Sequence, residues 1–361
     1  MRHLILAINP GSISTKIGLY RDEDPVFTRT IEHDHAEILK FPSIPSQKEM
    51  RMALVLETLK QEGYGPEQLS GVVGRGGLLP PMETGGYLVN QAMLDMIINE
   101  APGVSPHASN LGALLADGVA KLAGLPAYIY DAVSAGRLPE IATVTGFPEI
   151  TRRSFSHVLN CRAQGIQYAK GIGKRFEDVN LIIAHLGGGV SLGVYEKGQL
   201  VDSVADDYHS FSPERSGGVP LLDFTDFCFD RGLTKKDVIR RIRGNAGLKA
   251  HLGTADCREA EKRMENGDDK ARLVLTAMCY NIAKSICSLL PALAGKCDAV
   301  ILTGGIAKSA FVTAEITKRV NSIAPVAVLP GEYELEALAA GCLRIITGLE
   351  EAHEIAALGR E

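Results

Sequence analysis

A glycine- and serine-rich turn lies between two strand-like runs near the start of the chain, in AINPGSISTKIGLY (residues 7–20). The successive backbone N–H groups of such a turn can form an anion-binding nest, and glycine lets the backbone approach a ligand closely. Asn9, Ser12 and Ser14 add amide and hydroxyl donors, and Pro10 keeps Asn9 extended. Neither GxxxxGK[ST] nor a helix-opening GxGxxG occurs here. The turn could therefore bind phosphate without a helix, although an ordinary glycine hairpin has the same pattern.

Other side chains with possible roles in chemistry stand at glycine-rich ends of strand-like runs, which is where α/β folds build their sites. Two are arginines beside glycines, two are histidines, and one is a carboxylate that ends a strand. They are Arg75 in GRGG, Arg215 in RSGGVP, His107 in SPHASNLG, His185 in AHLGGG and Asp131 in IYDAV.

The composition limits the class of protein. The chain has 361 residues, is 45% hydrophobic and 22% charged, and carries a formal net charge of −5, which predicts a soluble globular protein of two domains. No basic block supports a nucleic-acid or anionic-membrane surface. The seven cysteines form no CxxC pair, which argues against zinc or a disulfide framework and favours a reducing cytoplasm. Residues 274–295 are apolar but contain Asn281, Lys284 and Pro291, so we expect a buried core helix there and no membrane span.

Strand-like and helix-like runs alternate along the chain, which predicts an α/β fold. HLILAI, LSGVVGRGG, PAYIYDAV, VNLIIAHLGGG, VSLGVYEKGQLVD and DAVILTGGIA are typical of strands. SQKEMRMALVLETLKQEG, NLGALLADGVAKLAG and KARLVLTAMCYNIAKSICSLL are typical of helices.

The two halves share a weak internal similarity. INPGSISTKIGLY and AHLGGGVSLGVY both follow the order strand, glycine turn, strand, and both end in glycine, an apolar residue and tyrosine. Asn9 corresponds to His185 and Gly11 to Gly187. Chance similarity of two hairpins is one interpretation, and a duplicated domain with one phosphate-binding hairpin in each half is the other.

Taken together, these motifs resemble those of the butyrate kinases, relatives of acetate kinase in the superfamily that includes sugar kinases and actin. INPGSISTK is similar to the family's first signature and AHLGGGVSLGVYEKG to its second. GRGGLL, HASNLGA, PERSG, HLGTADCRE and TGGIA follow the family order, so the resemblance covers essentially the whole chain. One departure is DDYHSF before PERSG, where relatives usually carry a Gly-Asp-Gly-like run.

The resemblance implies an α/β fold of two duplicated ribonuclease-H-like domains, each a mixed sheet flanked by helices, that face a nucleotide cleft. Residues 1–155 with the C-terminal segment 338–361 would form the N-terminal domain, which would hold the first phosphate hairpin and the acyl-substrate site. Residues 156–337 would form the C-terminal domain, with the second hairpin and the adenosine site.

The resemblance also assigns roles. Arg75 and Arg215 would be aimed at the transferred phosphoryl group, His185 would contact it, and His107 would be a second active-site histidine. Asp131, near the magnesium ion, and Glu334 would hold the metal, with Glu332 and Glu336 close by in sequence. The residues implied in nucleotide binding are Asn9, Gly11, Ser12, Ser14, Lys16, Gly187, Gly188, Gly189, Asp256, Arg258, Gly304 and Gly305.

The implied reaction is reversible, in-line phosphoryl transfer between ATP or ADP and a short-chain carboxylic acid, with Mg²⁺. The acceptor carboxylate is already ionised at neutral pH and needs no general base, so two arginines that neutralise and orient two anions carry the chemistry. Magnesium keeps most of its waters and needs few protein ligands.

Three small residues predict the length of the acid. Acetate kinases typically carry larger residues at the positions of Ala184 and Gly77, and Gly76 precedes Gly77. Removal of side-chain volume there would widen an acyl pocket for butyrate or a branched four-carbon acid, unless the backbone refills the space.

Three alternatives remain at this point: an acetate or propionate kinase, a non-catalytic nucleotide-binding protein of the actin type, and a hexokinase-like sugar kinase. The family resemblance also predicts a homodimer or a higher homo-oligomer, with no nucleic-acid or membrane partner.

Overall fold

The computed structural model describes residues 2–154, 156–205 and 208–356, so Asp206 and Asp207 of the DDYHSF stretch lie outside it. The described residues form eleven strands: β1 Leu4–Pro10, β2 Ser14–Arg21, β3 Asp24–Glu32, β4 Gly71–Arg75, β5 Gly86–Leu88, β6 Ala127–Tyr130, β7 Asn180–Leu186, β8 Val190–Glu196, β9 Gln199–Val204, β10 Ala299–Thr303 and β11 Val326–Val328. They also form thirteen helices: α1 His35–Ile38, α2 Lys48–Gln61, α3 Gln91–Ile98, α4 Leu111–Ala123, α5 Glu140–Thr143, α6 Val158–Gly171, α7 Leu221–Asp230, α8 Lys235–Ile242, α9 Gly247–Leu252, α10 Cys257–Glu265, α11 Asp269–Ser288, α12 Ala310–Val320 and α13 Glu334–Ile346. Short 3₁₀ turns occur at Pro45–Gln47, Pro66–Gln68, Ala108–Asn110, Phe176–Asp178, Leu290–Leu293 and Gly305–Lys308.

The chain divides into two compact units, Met1–Arg137 with Tyr333–Glu361, and Leu138–Glu332. The boundaries predicted from the sequence lie at 155/156 and 337/338, whereas the units divide at 137/138 and 332/333. A division at 337/338 would cut α13 within its first turns, and the observed division keeps this helix whole. The stretch from Leu138 onward packs with the second unit.

The first unit contains a six-stranded mixed sheet in the order β3-β2-β1-β4-β6-β5. β1, β2 and β3 are antiparallel neighbours, while β4 and β6 continue parallel to β1. A Cβ atom on Gly74 would overlap the backbone of Gly112 in α4, and one on Gly71 would meet Cys342 in α13. Residues three apart in a strand point to opposite faces, so α4 and α13 cover opposite faces of this sheet.

The second unit contains a five-stranded mixed sheet in the order β11-β10-β7-β8-β9. Ile182, Ala184 and Leu186 of β7 belong to the core cluster that includes residues of α11 and α12. Leu181 and Ile183 belong to another cluster, with Cys161 of α6. Helices therefore cover both faces of this sheet as well, and the predicted α/β class with two mixed sheets flanked by helices is confirmed.

The two sheets repeat the same connectivity, since β3-β2-β1-β4 corresponds to β9-β8-β7-β10 in order and direction. The pairing register shifts at Leu19/Tyr20 in the first sheet and at Val194/Tyr195 in the second. In each case a Cβ on the glycine two residues before the tyrosine would collide with its ring. The shared Gly-apolar-Tyr pattern therefore reflects a duplicated local packing and not chance similarity.

The long apolar segment is a core helix, as predicted. Asp269–Leu293 is long and apolar enough to cross a membrane by length and composition, but 50% of its most apolar window is buried inside the protein. Leu275, Met278 and Ile282 have no solvent exposure and lie in the core of the second unit.

Candidate active site

The first glycine turn joins β1 to β2 as a hairpin. The turn is closed by a hydrogen bond of 2.7 Å from Gly11 N to Ser14 O. Asn9 in β1 pairs with Lys16 in β2, so both predicted nucleotide contacts stand at the base of the turn. Ser12 is exposed and Ser14 is half-buried, which leaves their hydroxyl groups within reach of a ligand.

Arg51 of α2 fixes this hairpin from behind. Its side chain is 1% exposed, and its guanidinium donates to Gly11 O at 2.8 Å, Ser14 O at 3.0 Å and Ser12 O at 3.0 Å. Gln47 Oε1 holds the guanidinium in place at 2.8 Å. Three carbonyl groups of the turn therefore point inward, to one buried cation.

The outward direction of the N–H groups follows from peptide geometry. In a trans peptide the C=O of one residue and the N–H of the next point in opposite directions, and no peptide bond of the described chain is cis. Because Gly11 O and Ser12 O face Arg51, the N–H groups of Ser12 and Ile13 face away from it. Neither N–H group has a hydrogen-bond partner among residues 2–154, 156–205 and 208–356. Successive N–H groups that face the same way are the donors that an anion nest requires.

Arg75, at the end of β4, stands beside the same hairpin. Its Nη1 lies 2.8 Å from Glu334 Oε1 and 2.9 Å from Glu334 Oε2, and Asn9 Nδ2 donates to Glu334 Oε2 at 2.6 Å. Both charged side chains are mostly buried, at 19% and 14% exposure. The Nε atom of Arg75 is buried and has no hydrogen-bond partner within the described chain. The pair therefore uses one nitrogen of the guanidinium and leaves donor capacity for an anionic ligand.

Glu332, Glu334 and Glu336 make different contacts. Glu334 binds Arg75 and Asn9, as described above. Glu332 Oε1 lies 3.5 Å from His185 Nε2 in the second unit. Glu336 faces Tyr20, whose pKa is raised by burial and then by the charge of Glu336. Of these contacts, those of Glu334 place it next to the first glycine hairpin.

His107 and Asp131 lie in loops of the first unit. His107 precedes the turn Ala108–Asn110, and its Nδ1 is 2.6 Å from Ser109 Oγ. Partial desolvation, and next the charge of Arg75, lower the pKa of His107, although the residue as a whole is exposed. The Asp131 backbone is strained at φ 41°, and its buried carboxylate accepts from Gly85 N at 2.8 Å. A strained backbone held in this way is typical of functional loops.

The second glycine turn, Gly187–Gly189, joins β7 to β8 in the second unit. Gly187 N donates to Gly189 O at 3.0 Å. Gly188 O accepts from the buried Ser212 Oγ at 2.8 Å and from Glu214 N at 3.2 Å. The N–H of Gly189 consequently points away from Ser212, and it has no partner in the part of the chain that the structure describes. The second hairpin is therefore fixed through a carbonyl, as the first one is.

His185 is the last residue but one of β7 and is almost fully buried. Its Nδ1 lies 3.0 Å from Asn160 Nδ2 of α6, and its ring stacks on His157 with the centroids 3.8 Å apart. A Cβ atom on Gly187 would lie 3.1 Å from His185 Nε2. The Nε2 atom therefore faces the glycine turn, and the contact of His185 with a phosphoryl group stays a prediction.

Arg215 is tied to the second hairpin through Ser212. Its backbone N–H donates to Ser212 Oγ at 3.2 Å, and Ser212 N donates to Arg215 O at 3.2 Å. Its Nη1 lies 3.6 Å from Glu214 Oε2, and a Cβ on Gly188 would lie 3.2 Å from the same oxygen. Arg215 therefore stands next to the second glycine hairpin, as Arg75 stands next to the first.

The residues assigned to adenosine binding also lie in the second unit. Gly304 follows β10 at φ 88°, exchanges two backbone hydrogen bonds with Gly331, and has no room for a Cβ against the Leu186 carbonyl. Gly305 faces open space. Asp256 caps α10 and forms a two-point ion pair with the exposed Arg258 at 2.7 and 3.0 Å, and the hydrogen bonds with Arg258 lower the Asp256 pKa to about 2.

The three positions predicted to widen an acyl pocket are closely packed within their own units. A Cβ on Gly77 would overlap Asn110 Oδ1, and a Cβ on Gly76 would lie 2.5 Å from that of Ala132. Ala184 is fully buried in the core, on the face of β7 opposite His185. Packing within each unit therefore supplies no extra volume there, and the role of these residues in chain length stays a prediction.

Sequence reasoning did not identify Arg51, Asn160 or Ser212, which hold the site residues in place. The available signal was polarity in apolar surroundings, since Arg51 interrupts the helical run EMRMALVL and Asn160 interrupts VLNC. A polar residue at a core position requires a buried partner, but the sequence does not name that partner.

Comparisons with known proteins fit this geometry. The Acetokinase family matches residues 163–329. Butyrate kinase 1 of Clostridium acetobutylicum is 42% identical over 352 residues, 97% of this chain and 99% of the relative. A probable butyrate kinase of Enterococcus faecalis is 43% identical over 350 residues, 96% of each chain.

Solved structures show the same fold at low identity. The acetate kinase of Porphyromonas gingivalis matches with a TM-score of 0.77 at 18% identity, over 95% of this chain and 100% of that one. A propionate kinase of Francisella tularensis matches with a TM-score of 0.72 at 16% identity, over 94% and 98%. The two butyrate kinase relatives are 42–43% identical to this chain over nearly its full length, and this similarity establishes the family. The chain belongs to the acetokinase family and, within it, to the group of the butyrate kinases.

Proposed function

We propose that this protein transfers the γ-phosphoryl group of ATP reversibly to the carboxylate of butyrate or a branched four-carbon acid. The observation that carries the proposal is the near-full-length identity to relatives named butyrate kinases. The site supports it, because each of two glycine hairpins has at least one backbone N–H group without a partner in the described chain, beside Arg75 or Arg215. An ionised carboxylate needs charge neutralisation and orientation rather than a base, and arginine supplies both.

Each group of site residues has a separate role in the proposed phosphoryl transfer. The N–H groups of Ser12, Ile13 and Gly189 bind phosphate oxygens through the outward-facing turns. The planar guanidinium groups of Arg75 and Arg215 hold the acceptor carboxylate and the transferred phosphoryl group in line. His185 and His107 add contacts to the same group, and Lys16, Asp256, Arg258, Gly304 and Gly305 contribute to nucleotide binding.

Asp131 and Glu334 would hold Mg²⁺. No cluster of three or more His, Cys, Asp or Glu occurs in the described part of the chain. A kinase magnesium ion fits one or two carboxylates, because waters and phosphate oxygens complete its octahedron. Glu334 meets that requirement, since it is an oxygen donor held beside the first hairpin by Asn9. The ion would neutralise charge on the β- and γ-phosphates.

The test is a hydroxamate assay with ATP and Mg²⁺ across acetate, propionate, butyrate, isobutyrate and longer acids, in parallel with ADP release. We expect acid-dependent acyl phosphate, with the highest kcat/KM for a four-carbon acid. Preference for acetate or propionate would assign the chain to that neighbouring activity. Phosphorylation of sugars, or ATP-driven filaments without acid-dependent ADP release, would refute the proposal in favour of the other two classes.

We further propose that the protein works as a cytoplasmic homo-oligomer. Leu221, Leu222 and Phe229 of α7 are 72%, 82% and 81% exposed, and none of the residues of α7 or α8 is buried. α7 carries three aspartates and α8 two lysines and two arginines, so a second copy could place α7 against α8 in a two-fold contact. All seven cysteines are free, which fits a reducing compartment.

A further inference from the structure

A chain of buried polar groups lies behind His185 in the second unit. Asn160 of α6 and Thr303 at the end of β10 have no solvent exposure. Asn160 Nδ2 is 3.0 Å from His185 Nδ1 and 3.3 Å from Thr303 Oγ1, and Thr303 Oγ1 is 3.3 Å from Gly331 O. Gly331 in turn pairs with Gly304 of the turn assigned to the nucleoside. These polar groups are sited in a β7-β10 sheet that is otherwise apolar on this face.

The last acceptor of this chain, Gly331 O, determines the direction of every hydrogen bond in it. A carbonyl oxygen such as Gly331 O can only accept, so the single hydroxyl proton of Thr303 is directed to it. Thr303 Oγ1 must then accept from its other neighbour, which fixes the amide nitrogen of Asn160 on that side. The same nitrogen carries a second proton toward His185 Nδ1.

This orientation determines where neutral His185 carries its proton. An imidazole nitrogen that accepts a hydrogen bond is unprotonated, so the proton resides on the other nitrogen, Nε2. Nε2 is the atom that faces the glycine turn next to Gly187, and it lies 3.5 Å from Glu332 Oε1. The stacked ring of His157, inclined by only 7°, limits the tilt of the imidazole. A donor is thus presented to the phosphate side of the hairpin.

We propose that Asn160 and Thr303 are positioning residues that hold His185 in the Nε2–H tautomer, so that it donates a hydrogen bond to an oxygen of the transferred phosphoryl group. The inference rests on the proposed phosphoryl transfer for its catalytic consequence. The opposite tautomer would present a lone pair to an anion and repel it. In a serine protease, loss of the group that fixes the histidine tautomer lowers kcat by about 10⁴.

The test combines nitrogen NMR with kinetics. Protein with ¹⁵N-labelled histidine is examined at pH 8.5, and the His185 signals are identified by their loss in His185→Gln. Protonated and bare ring nitrogens differ widely in chemical shift, so the tautomer is read directly. The variants are Asn160→Asp, which can only accept, Thr303→Val, which removes the hydroxyl, and Thr303→Ser, the matched control that keeps it.

We expect Nε2–H in the wild-type protein and in Thr303→Ser, with near-normal kcat in both. In Asn160→Asp the proton should move to Nδ1, and kcat should fall about a hundredfold or more while KM for ATP changes little. Thr303→Val should show both tautomers and an intermediate kcat. If Asn160→Asp does not fold, the comparison of Thr303→Val with Thr303→Ser decides the matter.

Three results would overturn the inference. The first is a wild-type His185 with its proton on Nδ1, and the second is that Asn160→Asp and Thr303→Val both keep the Nε2–H tautomer. The third is a change of tautomer in these variants that leaves kcat unchanged. The NMR measurement needs no substrate. A failure of the wild-type protein to form any acyl phosphate would therefore refute the proposed function. The NMR spectra would still show whether Asn160 and Thr303 set the tautomer of His185.

Discussion

Arg75 and Glu334 form a largely buried ion pair, with Nη1 and Oε1 2.8 Å apart, although 259 residues separate them in sequence. The pair joins the end of β4 to the start of α13, and Asn9 braces the carboxylate from β1. We therefore predict two tasks for the glutamate: it would orient a guanidinium that binds anions, and it would supply an oxygen ligand for magnesium.

Glu334→Gln tests both the orientation of Arg75 and the binding of Mg²⁺. The amide keeps the shape but removes the charge, so we expect kcat to fall about a hundredfold, a loss of roughly 3 kcal/mol in transition-state stabilisation, and the Mg²⁺ concentration for half-maximal rate to rise. Titration of Mg²⁺ in the hydroxamate assay measures both effects. Glu336→Gln, which changes a glutamate two residues away, is the matched control and should leave the Mg²⁺ dependence unchanged. An identical response of the two variants would remove Glu334 from the site.

Arg75→Ala and Arg215→Ala should each lower kcat by about a hundredfold or more while ATP still binds, because each removes a charged contact that is strongest in the transition state. Lysine at either position should restore little, since it lacks the planar fork. Steady-state kinetics and ATP titration measure the two quantities separately. Arg29→Ala removes an exposed arginine paired with Glu62 and is the control. Near-normal kcat in either site variant would place phosphoryl transfer elsewhere.

Arg51→Met should release the first hairpin. It removes bonds to three carbonyl groups and leaves Gly11 O and Ser12 O without this donor, while Ser14 O keeps the bond from Gly11 N. We therefore expect a loss of about 2–4 kcal/mol in the free energy of unfolding and a higher KM for ATP. Arg51→Lys keeps the charge but cannot reach three carbonyls at once. It should recover part of the stability and little of the ATP affinity. Urea unfolding and KM measurements on both variants separate the two effects, and equal KM values in all three proteins would contradict the proposed role.

His33 makes the hairpin region sensitive to acid. Its Nε2 is 2.8 Å from Thr15 Oγ1, and burial, then the charge of Arg51, lower its pKa to about 4. The unfolded chain, with its ordinary pKa of 6.5, binds more protons than the folded one between these values, so this group's contribution to stability falls as pH falls from 6.5 to 4. The loss approaches about 1.4 kcal/mol per pH unit at most. Urea midpoints at pH 7, 5.5 and 4.5 should show a smaller acid effect in His33→Gln, and equal pH slopes would refute this assignment.

The sequence was most informative where function depends on local patterns. β1, β4, β7 and β10 end in the glycine turns that their apolar runs predict, and the Gly-apolar-Tyr pattern predicts the duplication because the glycine must admit the tyrosine ring two residues later. Contacts between distant segments could not be predicted in this way. Arg51 reaches residues about 40 positions earlier, and Asn160 reaches Thr303 across 143 positions. Such partners depend on how helices pack on the sheet, which no local spacing encodes.

The last prediction concerns the chain length of the acid, and substitution of Ala184 tests it most directly. A pocket distinguishes about 1–3 kcal/mol per methylene, so the wild-type enzyme should prefer four-carbon acids to acetate by about tenfold or more in kcat/KM. Ala184→Phe should raise the acetate-to-butyrate ratio if the side chain borders the acyl group, and it should also cost about 1–3 kcal/mol in stability, since Ala184 is fully buried. Ala299→Phe overpacks the neighbouring strand β10 at an equally buried alanine and is the control. A ratio that changes only in Ala184→Phe places Ala184 at the acyl pocket. A ratio that both folded variants leave unchanged, or change alike, shows that the length of the acid is set by other residues.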